Sequence, residues 1–304
     1  MWLPKVNGNV LDASVGLSKV SLMTTRVALV TGASRGIGKA IALALAEQGY
    51  DIVAGARTLK EGSGSVSAPF KEDQRQVSVP GSLEQTALEV EALGRHCLML
   101  QMDMLDRRSL DQMVQQAMAH FGRIDILVNN ALYQGPGLMY LLPDIEMQQL
   151  EDSMQGNLHN QFYLTRKVLT IMRQIGAGVV VNMTSGSAQV APPAPADKGG
   201  WGFAYAASKS AFHRLAEFIN VEFAQHNIRA YNIDPGYTAT ETSKALFGDN
   251  EATTTHFKAN KPEDTAVVVR WLVSSDDQGA YSTRTVYTPT FFKKNNIDPD
   301  AMES

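Results

Sequence analysis

The chain reads as an α/β protein: a single doubly wound parallel sheet of about seven strands, with helices on both faces. Three observations predict this. Short apolar runs alternate with helix-periodic runs over almost the whole of the 304 residues, the pattern of βα units whose crossovers bring each strand back parallel. The first apolar run passes directly into a glycine-rich turn, Thr31-Gly32-Ala33-Ser34-Arg35-Gly36-Ile37-Gly38. No internal repeat or low-complexity linker divides the chain, and α/β folds of this length are often one unit.

Residues 26–31 form a first strand, apolar enough to be buried on both faces. Ile37, Ile41, Ala44 and Leu45 then recur at helical spacing, and Gly49 closes that helix. Residues 51–56 and 97–102 are the second and third strands. Leu110, Met113, Val114, Ala117 and Phe121 mark a helix with Asp106 as its N-cap and Gly122 as its stop. Residues 124–128 are the fourth strand, 146–175 are helical, and 178–183 are the fifth strand. A helix carrying Tyr205 and Lys209 runs on through Phe212, Leu215, Ile219 and Phe223. A strand at 228–233, a helix at 263–273 and a last strand at 285–287 complete the series.

Two segments break the rhythm. Residues 58–82 are rich in glycine, serine and proline and read as a surface excursion after the second strand. Residues 186–203 hold Ala191-Pro192-Pro193-Ala194-Pro195 and Gly199-Gly200-Trp201, a loop just ahead of Tyr205. The domain is expected to span 23–290, with 1–22 a disordered N-terminal extension and 291–304 a C-terminal tail.

A net charge of −4 with scattered Lys and Arg gives no electrostatic reason to expect nucleic acid as a partner. No apolar run of membrane-spanning length occurs, and the first two dozen residues lack a secretory pattern. The single cysteine, Cys97, excludes an intrachain disulfide and fits a reducing, cytoplasmic setting. No metal site is expected: on a strand, the adjacent His96 and Cys97 point to opposite faces.

The chemistry is carried by two features. Glycines at 32, 36 and 38 allow a tight turn in which backbone N–H groups and a helix N-terminus face a pyrophosphate. Tyr205 and Lys209 stand four apart on one helix face, where an ammonium favours the phenolate and moves the phenol down from about 10 towards the range of a general acid/base. Together they predict carbonyl/alcohol redox chemistry on a dinucleotide. NAD binders place a carboxylate at the end of the second strand; here Ala56 stands there, followed by Arg57, with Arg35 in the glycine turn. Two guanidiniums would bond a 2′-phosphate, so NADP(H) is the expected coenzyme, with NAD(H) as the second choice.

The glycine turn, Asn129-Asn130-Ala131, Ser185 after the fifth strand, Tyr205-Ala206-Ala207-Ser208-Lys209 and Asp234-Pro235-Gly236 fall in the order seen in short-chain dehydrogenase/reductases. The chain resembles that family over roughly residues 24–290, which implies a Rossmann-like NAD(P)-binding fold. By this resemblance Tyr205 is the catalytic acid/base, Lys209 lowers its pKa and bonds the nicotinamide ribose, and Ser185 holds the substrate carbonyl. Asn157, in Gln155-Gly156-Asn157-Leu158, matches the asparagine of a water-borne proton relay, or else is a polar helix residue tying two elements together. The coenzyme residues so implied are Gly32, Ser34, Arg35, Gly36, Ile37, Gly38, Arg57, Asp103, Met104, Asn130, Ala131, Tyr205, Lys209, Pro235, Gly236, Thr238 and Thr240. Asp103 would bond the adenine, or else serve only as a helix cap or turn residue.

Residues 57–61, 80–83 and 91–94 are similar to a bacterial branch near the hydroxysteroid dehydrogenase-like proteins. Leu132 stands where the family has glycine, and the interval from Ser185 to Tyr205 is longer than usual. That longer loop is read as substrate wall, with Trp201 and Phe203 as candidate lining, or as a plain surface insertion. Residues 241–260 are read as a lid. The family implies a small-molecule carbonyl or alcohol substrate and a homodimer or homotetramer built on the helices at 146–175 and 205–225. A non-catalytic NADP(H)-binding sensor or scaffold is the alternative.

Overall fold

The computed structural model describes residues 25–73, 75–247, 259–274 and 279–295. Seven strands form one parallel sheet: β1 (Val27–Thr31), β2 (Asp51–Ala56), β5 (Cys97–Gln101), β6 (Ile126–Asn129), β7 (Gly178–Met183), β8 (Ile228–Asp234) and β9 (Thr285–Tyr287). They lie in the order β5-β2-β1-β6-β7-β8-β9. The order reverses between β1 and β6, so crossovers leave to opposite sides there and a crevice opens beyond the carboxyl ends of those two strands.

Strand alternation sorts the core into two layers. Ala28 and Val30 of β1 face a cluster that includes Ile41 and Leu45 of α1 (Gly36–Glu47), Leu83 and Val90 of α2 (Leu83–Ala92), and Val268 and Leu272 of α8 (Pro262–Ser274). Val27 and Leu29 face the other cluster, with Leu110 and Met113 of α3 (Arg107–Phe121), Leu164 of α5 (Asn160–Ile175) and Ile219 of α6 (Phe203–Glu222). Asp106 caps α3 by accepting the Arg108 N–H, and Gly122 closes it in the left-handed region.

The helical run at 146–175 is interrupted. α4 (Met147–Met154) passes through a π turn, Gln155–His159, into α5. The excursion at 58–82 is more than surface: it forms an antiparallel hairpin of β3 (Ser65–Ser67) and β4 (Gln76–Ser78), and Thr58, Val66, Val79 and Ser82 are buried. Ser82 then caps α2 by accepting the Gln85 N–H, a helix the sequence reading did not assign.

Beyond β8 lie α7 (Glu241–Phe247), the short α9 (Gly279–Ser282) and α10 (Thr288–Asn295). Phe291 of α10 is buried against the rings of Trp271 and Tyr281, so packed structure runs past residue 290. α7 covers the first part of the expected lid; 248–258, like the expected extension at 1–22, lie outside the described residues. Among the described residues no helix is long and apolar enough to cross a membrane, and no three His, Cys, Asp or Glu side chains cluster as metal ligands.

Candidate functional site

The turn from β1 into α1 makes a cradle that side chains would fill. Gly36 has φ +54°, and a Cβ on Gly38 would stand 2.2 Å from the Gly32 carbonyl oxygen and 2.4 Å from Asn130 Nδ2. Asn130 ties this turn to β6 by donating through Nδ2 to the Thr31 carbonyl at 2.9 Å, while its N–H donates to Thr31 Oγ1 at 3.0 Å. The N-cap of α1 is Arg35, whose side chain makes no cap bond, and the first turn holds no acid. The leading N–H groups of α1 are therefore left for an anion, which fits a pyrophosphate.

A cleft of about 240 Å³ opens in front of this cradle. Gly32, Ser34, Arg35, Gly36, Ile37, Gly38, Arg57, Asp103, Met104, Asn130, Ala131 and Thr240 all line it, as does Ala56. Asp103 also acts as a turn residue, since its Oδ1 accepts the Leu105 N–H at 2.9 Å. Arg35 and Arg57 differ. Arg35 donates from Nε to the Pro80 carbonyl at 2.6 Å and from Nη2 to the Gly81 carbonyl at 2.8 Å, whereas Arg57 is exposed.

A second cleft of about 300 Å³ is continuous with the first, sharing Ile37, Asn130, Leu132, Gln134, Thr240 and Thr242. Tyr205, Lys209, Pro235, Gly236 and Thr238 line it. Tyr205 stands in the first turn of α6, where the helix dipole favours an anion. Ser185 is not part of the lining, but its side chain stands near enough to the phenol to lower its pKa. Lys209 Nζ donates to the Met183 carbonyl at 2.7 Å.

The electrostatics correct one expectation. Burial pushes the Tyr205 phenol up from its ordinary value; the neighbouring Ser185 side chain pulls it down and the nearby Asp234 carboxylate raises it further. Lys209, by contrast, is pulled down by its own burial to about 8, with Asp234 opposing. Desolvation outweighs the depression of the phenol expected from the ammonium. The phenol is thus held protonated.

Asn157, on the π turn, is brought to the loop beside the crevice rather than to the lining of either cleft. Its Oδ1 accepts the Tyr133 N–H at 2.7 Å and its Nδ2 donates to the Tyr133 carbonyl at 3.2 Å, so it braces residues 131–134. Trp201 and Phe203 do not line the second cleft. Phe203 is two residues before Tyr205 on the same helix, hence on another face, and is 51% exposed. Ala191, Pro192, Pro193 and Pro195 are exposed as well, so the loop is a surface insertion. The wall is built instead by Pro69 from the 58–82 excursion, Leu132, Leu138, Met139, Tyr237, and Leu246 of α7.

Sequence reasoning missed several supporting groups. Asp234 accepts the Gly236 N–H at 3.0 Å and carries its carboxylate beneath Lys209 and His213. Asn129, Asn182 and Asn232 are register partners on β6, β7 and β8; Asn129 donates to Asn182 Oδ1 at 3.0 Å, and Asn232 donates to the His213 carbonyl at 2.7 Å. The signal was the recurrence of asparagine at the ends of three apolar runs.

A family model described as short chain dehydrogenase matches residues 26–81 and 76–251. The chain is 35% identical over 240 residues to 2-dehydro-3-deoxy-D-gluconate 5-dehydrogenase of Pseudoalteromonas atlantica, covering 77% of this chain and 80% of that one. It is 29% identical over 263 residues to 2,3-dihydro-2,3-dihydroxybenzoate dehydrogenase of Bacillus subtilis, covering 82% and 89%. Among solved structures, a short chain dehydrogenase from Mycobacterium paratuberculosis bound to NAD superposes with TM-score 0.68 at 25% identity, covering 92% of this chain and 98% of that one.

Proposed function

The chain belongs to the short chain dehydrogenase family of oxidoreductases, which act at a carbonyl/alcohol carbon, and from that premise we propose that it is an NADP(H)-dependent enzyme with Tyr205 as general acid/base. One observation carries the proposal: Tyr205 and Lys209 line a cleft that opens directly into the glycine cradle. A bound nicotinamide coenzyme supplies the hydride.

The residues of the chain do the rest. In reduction, Tyr205 gives its proton to the carbonyl oxygen as negative charge develops there. Ser185, close beside the phenol, donates to the same oxygen and holds it in place. Lys209, fixed by the Met183 carbonyl, keeps positive charge beside the phenolate that forms and reaches the ribose. Asn157 orders the loop at 131–134 and supports a water-borne path that returns the proton to Tyr205. The N–H groups of α1 hold the pyrophosphate, Asp103 and Met104 bound the adenine, and Pro235, Gly236, Thr238 and Thr240 flank the nicotinamide end. α7 acts as part of a lid that excludes water.

Preference for NADP(H) is supported by the absence of an acid at Ala56 and by the cationic side of the first cleft. The described wall of the second cleft carries no charged side chain except Lys209, which supports an uncharged carbonyl substrate. Cys97, pushed up to about 12 by burial, is an inert thiol, in keeping with a cytoplasmic protein. Phe162 of α5 and Phe218 of α6 stand exposed beside an apolar groove of about 980 Å³, a face suited to a second copy in a homodimer or homotetramer.

The test is NADPH oxidation across a panel of ketones and aldehydes, with coenzyme binding followed by fluorescence. Turnover that Tyr205→Phe abolishes supports the enzyme. Tight NADPH binding with no turnover anywhere on the panel favours the sensor or scaffold.

A further inference from the structure

We infer that the hairpin of β3 and β4 is a size-setting roof over the second cleft, with Pro69 as the residue that limits the substrate to a short, uncharged carbonyl compound. The inference rests on the carbonyl/alcohol reading above and extends it from reaction to substrate class.

The hairpin is closed on itself well beyond its three-residue strands. The Val79 N–H donates to the Gly64 carbonyl and the Ala68 N–H to the Arg75 carbonyl, each at 3.0 Å, and Gln76 Nε2 donates to Ser67 Oγ at 2.6 Å. At the tip the Asp73 N–H donates to the Phe70 carbonyl at 3.2 Å, and Arg75 forks onto the Asp73 carboxylate through Nε and Nη2, both at 2.7 Å. Two short strands are marginal alone, so the place of this unit is set by what it rests on.

It rests on the opposite rim of the crevice. The Met139 N–H donates to the Pro69 carbonyl at 3.2 Å, and Lys71 pairs with Asp144 in the turn Leu142–Asp144. Ala68 and Tyr140, both buried, face one small cavity between the hairpin and that rim. The segment thereby crosses both clefts: Val66 lines the first, and Pro69, itself buried, lines the second.

The wall so made is stiff. The Pro69 ring fixes its own φ and has no rotamer that swings it aside. Behind it, Leu138 is 2% exposed, and a Cβ on Gly202 would stand 2.3 Å from the Leu138 carbonyl oxygen, so the rim cannot retreat towards α6. Gly202 is the N-cap of α6, three residues before Tyr205, which sets the roof at a fixed height over the phenol. The cleft of about 300 Å³ beneath it is small for a ligand site. Its outer fastening is weak: the Lys71 side chain is 50% exposed, and exposed ion pairs hold little. Reversing that charge therefore loosens the roof without touching the core.

The test measures binding of butanamide and octanamide, carbonyl compounds that hydride does not reduce, to the NADPH-loaded protein by calorimetry. Ketones of matching length are followed by NADPH oxidation, and hydrogen exchange is followed over 65–78. Wild type should bind octanamide no more tightly than butanamide, although added methylenes otherwise favour burial. Pro69→Ala should bind octanamide about tenfold tighter and butanamide within about threefold of wild type, with exchange and NADPH affinity unchanged. Lys71→Glu, which sets like charges against each other at Asp144, should also admit octanamide and should speed exchange; adding Asp144→Lys should restore both. Octanamide bound tenfold tighter than butanamide by wild type, or a Pro69→Ala gain shared equally by the two amides, overturns the inference. So does a Lys71→Glu variant with faster exchange and an unchanged amide ratio. Reduction of ketones with no dependence on length removes the roof alone, whereas neither amide binding nor ketone reduction removes the carbonyl reading and the roof with it.

Discussion

Lys209 Nζ donates a 2.7 Å hydrogen bond to the carbonyl of Met183, so the ammonium one turn along α6 from Tyr205 is pinned to the end of β7. Its burial pulls it from 10.5 down to about 8. The group is therefore charged at neutral pH and loses its proton as pH rises through about 8. If the cation supports proton transfer, kcat/KM for reduction should fall above pH 8. Stability should move the other way. The unfolded chain binds this proton up to 10.5 and the folded chain only to about 8, so the cost of burying the cation is present below 8 and is relieved between about 8 and 10.5. Urea midpoints of wild type and Lys209→Met at pH 7 and 9.5 would show the gap shifting in favour of wild type at the higher pH. A flat rate profile to pH 9.5 would remove Lys209 from the mechanism.

Tyr205→Phe keeps the ring and removes the proton. Because burial holds the phenol protonated, turnover should fall by about 10²–10⁴-fold, the usual weight of a general acid. Coenzyme dissociation constants should change less than about threefold, since a single hydroxyl is lost at the nicotinamide end. Stopped-flow reduction alongside fluorescence titration separates the two effects. Equal losses in both would make Tyr205 a binding residue.

The βα rhythm was legible because strands buried on both faces are unbroken apolar runs, as in residues 27–31 and 178–183. Tyr205 and Lys209 were legible for a similar reason: spacing on a helix is a property of the local chain. The hairpin in 58–82 was not. Its strands are three residues long, its composition is that of a loop, and its order comes from Arg35, which lies 23 to 46 residues upstream of the partners it holds. The π turn was hidden because one extra residue does not visibly disturb the helical period of 146–175. Asp234 was seen only as part of a turn, since its place beneath Lys209 depends on β8 lying next to β7.

Gly38→Ala tests the cradle directly. The added methyl carbon would stand 2.2 Å from a backbone oxygen, Gly32 O, which cannot swing aside as a side-chain end can. The turn must open, at a cost of about 1–3 kcal/mol if it behaves as an overpacked site. NADPH affinity should fall at least tenfold and thermal unfolding should shift down by several degrees. An alanine variant with wild-type coenzyme affinity would show that the turn is not the pyrophosphate seat.

The last prediction concerns α5 and α6. Phe162 and Phe218 are 51% and 56% exposed, Val221 is 81% exposed, and the groove between the helices is lined by Leu158, Leu169, Leu215 and Phe223. Arg166, Arg214 and Glu222 rim the same groove, so an identical face turned about a two-fold axis can set unlike charges against each other while the aromatic rings meet. Burying two such rings per copy in the centre of an interface is the pattern that dominates association energy. Wild type should therefore sediment as a dimer or tetramer at micromolar concentration. The double variant Phe162→Glu, Phe218→Glu should sediment as a monomer with unchanged far-ultraviolet dichroism, because neither ring is part of the core. A monomeric wild type, or a double variant that still assembles, would move the subunit contact elsewhere on the molecule.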